Sequence, residues 1–150
     1  MVDVTTTAAI RCPLSEVFEY AVNPDNAPEW YENIKSVEWK TPKPLSHGSR
    51  IAFKAQFLGR TLEYVYEIVE LVPEEKLDMR TADGPFLMET TYQFEGIDQA
   101  TTRMTLRNRG NPSGFSKLVA PFMSLAMRRA NRKDLAKVKG VLESVVRPAT

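Results

Sequence analysis

An α+β fold, one antiparallel sheet packed on one long terminal helix, is predicted by three features of the sequence. Between Ile34 and Arg109 apolar and polar residues alternate in short runs separated by turn residues, which is the pattern of strands. From Ser113 to Val145 the apolar spacing changes to three and four, the pattern of a helix of many turns. Ahead of both lie a first strand and two brief helical patterns, the latter between Leu14 and Tyr31. A sheet and a helix that each carry one apolar face bury those faces against one another.

Taken in order, Val2 to Arg11 reads as a first strand, ended by Cys12-Pro13. Pro13 suits a helix start, where its missing N–H would have no partner anyway, and Val17, Phe18 and Ala21 supply an apolar face for about two turns. Asn23-Pro24-Asp25 breaks that helix, and Asn26 to Tyr31 forms another with Trp30 as anchor. Ile34 to Lys40 is a second strand, followed by a connection rich in Pro and Gly through Pro42, Pro44 and Gly48. A meander comes next. With Gly59-Arg60 as a hairpin loop, Phe57 opposes Leu62, and Ile51, Phe53 and Ala55 share a face with Tyr64, Tyr66 and Ile68. With Asp83-Gly84 as the next loop, Met79 opposes Met88 and Leu77 opposes Thr90. The last strand, about Thr101 to Arg109, turns Thr102, Met104, Leu106 and Asn108 inward.

The terminal helix has two apolar stripes. Leu135, Val138, Leu142 and Val145 form one, with Arg128, Arg132, Lys139 and Glu143 opposite; Phe115, Leu118, Val119, Phe122 and Ala126 form another, rotated around the axis, with Pro121 between them. Proline there predicts a kink or a fresh helix start. Met123 and Met127 add an adaptable apolar surface. The first stripe covers the sheet, and the second needs a neighbour of its own: a ligand, a lid or a partner subunit.

At 150 residues and 17.0 kDa the chain has the size of one domain, spanning 1–150. A net charge of +1 offers no general attraction to nucleic acid, although the region from Ser113 onward has eight basic and two acidic residues against twelve and seventeen before it. Cys12 is the only cysteine, which excludes an internal disulfide and a thiolate metal cluster. With neither an export signal nor a stretch long and apolar enough to span a bilayer, a cytoplasmic location is expected, without stable membrane insertion.

The inward set carries the functional expectation. Phe53, Phe57, Tyr64, Tyr66, Met79, Met88, Tyr92, Phe94 and Met104 are bulky, and Thr81, Thr90 and Asn108 bring polar atoms to the same face. Buried hydroxyls require partners. Either they satisfy one another within a filled core or they line a pocket, because pockets are largely apolar with a few placed polar groups.

These residues also resemble a known family. Cys12-Pro13-Leu14-Ser15-Glu16-Val17-Phe18, Asn26-Ala27-Pro28-Glu29-Trp30, Gly48 before a strand, Val72-Pro73-Glu74-Glu75-Lys76-Leu77 and Ala100 through Leu106 are similar to the START/Bet v 1-like (SRPBCC) superfamily, in its polyketide cyclase/dehydrase branch. The resemblance spans nearly the whole chain. It implies a helix-grip fold, a curved sheet wrapped around the C-terminal helix with a deep hydrophobic cavity between them. It also implies carriage of a lipid, polyketide or aromatic metabolite, or cyclase/dehydratase chemistry that works mainly by positioning a reactive chain.

No fixed catalytic set stands out. His47, the only histidine, sits in a loop of Pro, Ser and Gly, and neither a metal motif nor a nucleotide loop occurs. Glu63, Glu67 and Glu89 point outward in the register above. Tyr64, Tyr66, Tyr92 and Asn108 are the candidate polar residues for chemistry, since a phenol can polarise a ligand carbonyl and an amide can orient it. The expected ligand-binding set is Phe53, Phe57, Tyr64, Tyr66, Met79, Met88, Tyr92, Met104, Phe115, Val119, Phe122, Met123 and Met127, with no cofactor or metal. A hydrophobic small molecule is the expected partner of a monomer or homodimer. The alternatives are a cyclase/dehydratase and an interaction module in which Phe115 to Met127 docks a partner.

Overall fold

The computed structural model describes residues 2–57, 59–83, 87–110 and 120–144. Seven strands, β1 (Val2–Ile10), β2 (Ile34–Trp39), β3 (Arg50–Phe57), β4 (Arg60–Val72), β5 (Lys76–Asp83), β6 (Met88–Asp98) and β7 (Thr101–Gly110), form one antiparallel sheet ordered β1-β7-β6-β5-β4-β3-β2. The meander therefore runs from β2 to β7, and β1 closes it by pairing with β7 from Val2 opposite Gly110 to Ile10 opposite Thr102. Between β1 at one edge and β2 at the other lie α1 (Leu14–Val22), a 3₁₀ turn at Pro24–Asn26 and α2 (Ala27–Trp30). The long helix α3 (Ala120–Glu143) lies in the concave face.

Curvature comes from bulges. Register shifts between Ile34 and Ser36, between Val65 and Tyr66, between Ile68 and Glu70, and between Gly96 and Asp98 each bend a strand and add local twist. The sheet thereby wraps the helix instead of lying flat against it.

Both hairpins differ in register from the sequence reading. Phe57 pairs with Arg60 and Leu62 opposes Ala55, not Phe57; Met79 opposes Thr90, not Met88, and Leu77 opposes Tyr92, not Thr90. Gly59 is the reason in the first hairpin. It takes φ +75°, so it occupies the second loop position instead of the first. Each shift is by two residues, which leaves every side chain on its predicted face because a strand alternates with period two.

The last helix also departs from the sequence reading. Leu135, Val138 and Leu142 are buried, as the stripe requires. Lys139 and Glu143, assigned to the solvated side, instead clamp the helix end to β1. Lys139 Nζ donates to the Ala9 carbonyl oxygen at 2.8 Å and to Glu143 Oε2 at 2.7 Å, while the Arg11 backbone N–H donates to the same carboxylate at 2.7 Å. The Arg11 N–H, with Lys139, holds the Glu143 carboxyl down at about 2. From Ala120 to Glu143 the helix is unbroken. The expected helix over 113–119 and Val145 lie outside the described residues.

Three buried clusters fill the concave side. The largest joins Ile10, Val17, Phe18, Trp30, Phe94, Met104 and Leu106 to Leu135, Val138 and Leu142 of α3. A second gathers Val2, Val4, Leu62 and Tyr64 around Met123 and Met127, and a third joins Ala27, Ile51 and Phe53. Tyr66 packs against all three.

The closing strand pair is tight at Gly110. A Cβ built there would lie 2.6 Å from the Leu87 carbonyl oxygen and closer still to Met88 Sδ. Because one of these atoms is backbone, Gly110→Ala is expected to cost about 1–3 kcal/mol, read as a fall in Tm on thermal denaturation. An unchanged Tm would mean that the β6 and β7 ends separate at no cost.

Candidate functional site: a cavity between sheet and helix

Where the three clusters fail to meet, a cavity of about 130 Å³ remains. β3, β4, β5, β6 and β7 supply Phe53, Ala55, Leu62, Tyr64, Tyr66, Met79, Met88, Thr90, Tyr92 and Asn108. The stretch after α2 supplies Tyr31, Asn33 and Ile34, and α3 supplies Met127, Ala130, Asn131 and Asp134. Rings make up much of the wall: Phe53 meets Tyr66 edge-on at 5.6 Å, and Tyr64 lies 6.1 Å from Tyr66.

Polar atoms are grouped in two sets. In the first, the hydroxyls of Tyr31 and Tyr92 are 2.5 Å apart. Burial pushes both phenols up, and the pair faces the Asp134 carboxyl closely enough for its charge to push them further. Asp134 is 2% exposed, and its Oδ1 accepts the Glu32 backbone N–H at 3.0 Å. Removal from water raises this carboxyl to about 7, the Glu32 N–H offsetting only part of the effect. In the second set, Thr90 Oγ1 donates to Asn108 Oδ1 at 2.7 Å, and Asn108 Nδ2 donates to Asn131 Oδ1 at 3.0 Å. Tyr66 lies within hydrogen-bond reach of the Thr90 hydroxyl.

Of the residues named from sequence, Phe53, Tyr64, Tyr66, Met79, Met88, Tyr92, Asn108 and Met127 lie in this wall. Met104 does not: it is fully buried in the largest cluster, under the C-terminal half of α3. Met123 likewise packs in the second cluster, against Val2 and Val4. Phe122 is placed differently from expectation. It is 65% exposed, beside Leu125 at 64%, because successive helical residues are turned about 100° from one another and Met123 already faces inward. Phe115 and Val119 lie outside the described residues, as does the side chain of Phe57. His47 lies in the exposed loop before β3 and is not in the wall.

Sequence reasoning missed Tyr31, Asn131 and Asp134. A signal for the last two was present. Met123, Met127, Asn131, Asp134 and Val138 follow one another at the spacing of a single helical stripe, so two polar residues interrupt an apolar face. Among the described residues no group of three or more His, Cys, Asp or Glu could hold a metal ion, and no helix is long and apolar enough to cross a membrane.

The family model for polyketide cyclase/dehydrase and lipid transport matches residues 1–143, the whole of the sheet and α3 that frame this cavity. The chain belongs to this family. Solved structures agree on the START-like fold. A START superfamily protein from Mycobacterium smegmatis superposes with a TM-score of 0.81 at 10% identity, over 96% of this chain and 99% of that one. The Zhui aromatase/cyclase from a Streptomyces species gives 0.80 at 16% identity, over 97% and 95%. A major latex-like protein from Panax ginseng gives 0.70 at 11%, over 93% and 96%. No curated protein matches the sequence. At these identities the solved structures of the polyketide cyclase/dehydrase and lipid transport type show a shared fold alone.

Proposed function

We propose that this family member binds a small hydrophobic molecule carrying one ring and a polar substituent in the cavity between the sheet and α3. The carrying observation is the meeting point of the three clusters, where aromatic and thioether side chains and two hydrogen-bonded polar groups line about 130 Å³. An apolar cavity of this order accommodates a benzene-sized ring. A long acyl chain or a polyketide of several rings calls for roughly 300 Å³ or more, so a single ring is the reading that the volume supports.

Native mass spectrometry of freshly purified protein, followed by titration of the delipidated protein with toluene, tests it. A bound species or saturable binding is expected. Ala130→Phe, which directs a ring into the cavity from α3, is expected to lower toluene affinity at least 100-fold while the protein stays folded. Equal binding by the variant and the parent would place the toluene elsewhere and end this reading.

One observation favours cyclase/dehydratase chemistry as a second reading. Asp134, held at about 7 beside the Tyr31 and Tyr92 hydroxyls, is poised both to accept and to donate a proton near neutrality. Turnover of a poly-β-ketone thioester that is lost in Asp134→Asn and Tyr92→Phe would favour it over binding alone. Absence of turnover by the parent protein would leave the binding reading standing by itself.

A further inference from the structure

The outward face of α3 has a composition that packing against the sheet does not explain. Phe122 and Leu125 lie three residues apart, so they are neighbours on the helix surface, and both stand in water. Arg129 and Lys133 continue the stripe at a spacing of four, with Arg128 and Arg132 beside them, all exposed. The stretch from Ala120 to Lys133 contains no acid. Both acids of α3 are engaged elsewhere: Asp134 is buried in the cavity wall, and Glu143 is held by Lys139 and the Arg11 N–H at the far end. Glu32, just after α2, stands 3.8 Å from Lys133 Nζ, but both side chains are more than half exposed, so the pair is weak and the face stays positive. Phe122, Leu125, Arg129 and Lys133 line a groove that shares Asn33 and Ala130 with the cavity wall, so the patch adjoins the cavity.

From this we infer that the outward face of α3 docks on an anionic membrane surface, with Phe122 and Leu125 entering the headgroup region and Arg128, Arg129, Arg132 and Lys133 meeting lipid phosphates. A bilayer interface accepts both kinds of side chain at once, apolar groups at the acyl boundary and cations at the headgroups. Other occupants fit less well. A second copy related by a twofold axis would set these cations against one another. Nucleic acid phosphates would satisfy the cations and leave Leu125, which has no ring to stack on a base, in water. Position beside the cavity favours a bilayer over an acidic protein, because an apolar ligand of the kind proposed above collects in lipid; that one argument rests on the binding role, whereas charge and exposure do not.

Co-sedimentation of the full chain with vesicles of phosphatidylcholine alone, and of equal parts phosphatidylcholine and phosphatidylglycerol, tests the inference. Binding to the mixed vesicles is expected to be at least about tenfold tighter and to weaken as salt is raised. Arg129→Gln/Lys133→Gln should lower it roughly twentyfold, and Phe122→Ser/Leu125→Ser at least about tenfold. Arg103→Gln, on the convex face of the sheet, should change it by less than about twofold. These side chains are exposed, so each variant should keep the parent's Tm, and toluene titration reads the cavity separately from the vesicles. Failure to sediment with mixed vesicles, equal binding to both kinds, or an effect of Arg103→Gln as large as that of Arg129→Gln/Lys133→Gln would overturn the inference and leave the binding role untouched. So would a dimer that Phe122→Ser/Leu125→Ser abolishes, or duplex DNA bound in place of vesicles, each of which would assign the face to a different occupant.

Discussion

Replacing Asp134 by Asn should stabilise the protein above pH 7 and do so progressively less as the pH is lowered to about 4. The sign follows from burial. Asp134 is shut away from water on α3, and its carboxyl is raised to about 7 from the ordinary value of 3.8. Between these two values the folded chain holds a proton that the unfolded chain has released, so stability falls as the pH rises through that window and is level above it. Ionising such a carboxyl in place costs roughly 4 kcal/mol by pH 8. Asn has the same shape, keeps an oxygen for the Glu32 N–H and never ionises. The groups whose carboxyls are lowered act elsewhere on the pH scale. Glu143, Asp3 and Asp25 lend stability that is present above about 4 and is lost as the pH falls further. Glu89 is raised as well, through its hydrogen bond to Asp78, and the difference between the parent and Asp134→Asn cancels it. Urea unfolding at pH 4.5 and pH 8 reads the effect directly. A gain of the same size at both values would mean that Asp134 is charged in the folded state throughout, paired in a way the cavity wall does not show.

The face assignments of the sheet were legible because they need only period two. Ile51, Phe53, Tyr64, Ile68, Met79, Met104, Leu106 and Asn108 were placed inward from alternation alone, and all are buried. Register was not legible, because it depends on which loop position takes a positive φ, and a two-residue slip at Gly59 leaves the alternation intact. The cavity's apolar wall followed from the inward set, whereas its chemistry came largely from the helix. Asn131 and Asp134 were not legible from residue type, because polar and charged helical residues are usually solvated. The stripe through Met127 and Val138 contradicts that at both positions. Tyr31 was beyond reach for a different reason: its meeting with Tyr92 joins residues 61 apart, and only the fold brings them together.

Trp30→Ala should cost about 3–5 kcal/mol, a fall in Tm on the order of 10 °C, while Trp30→Phe should cost much less. Trp30 is 1% exposed at the end of α2, with its ring 4.1 Å from that of Tyr31 and edge-on to Tyr92 at 5.7 Å. Truncation to Ala opens a void behind the tyrosine pair that forms one wall of the cavity, and the short helix has no other buried aromatic to fill it. Phe retains a ring in the same place. It also removes the indole N–H, which is buried without a hydrogen-bond partner among the described residues, so the lost volume is partly offset by relief of an unmet donor. The ordering of the two variants is therefore set by apolar contact and not by hydrogen bonding. Urea unfolding of both decides the point: if Phe proves as damaging as Ala, the indole N–H has an acceptor in solution and Trp30 anchors α2 through polar contact as well as packing.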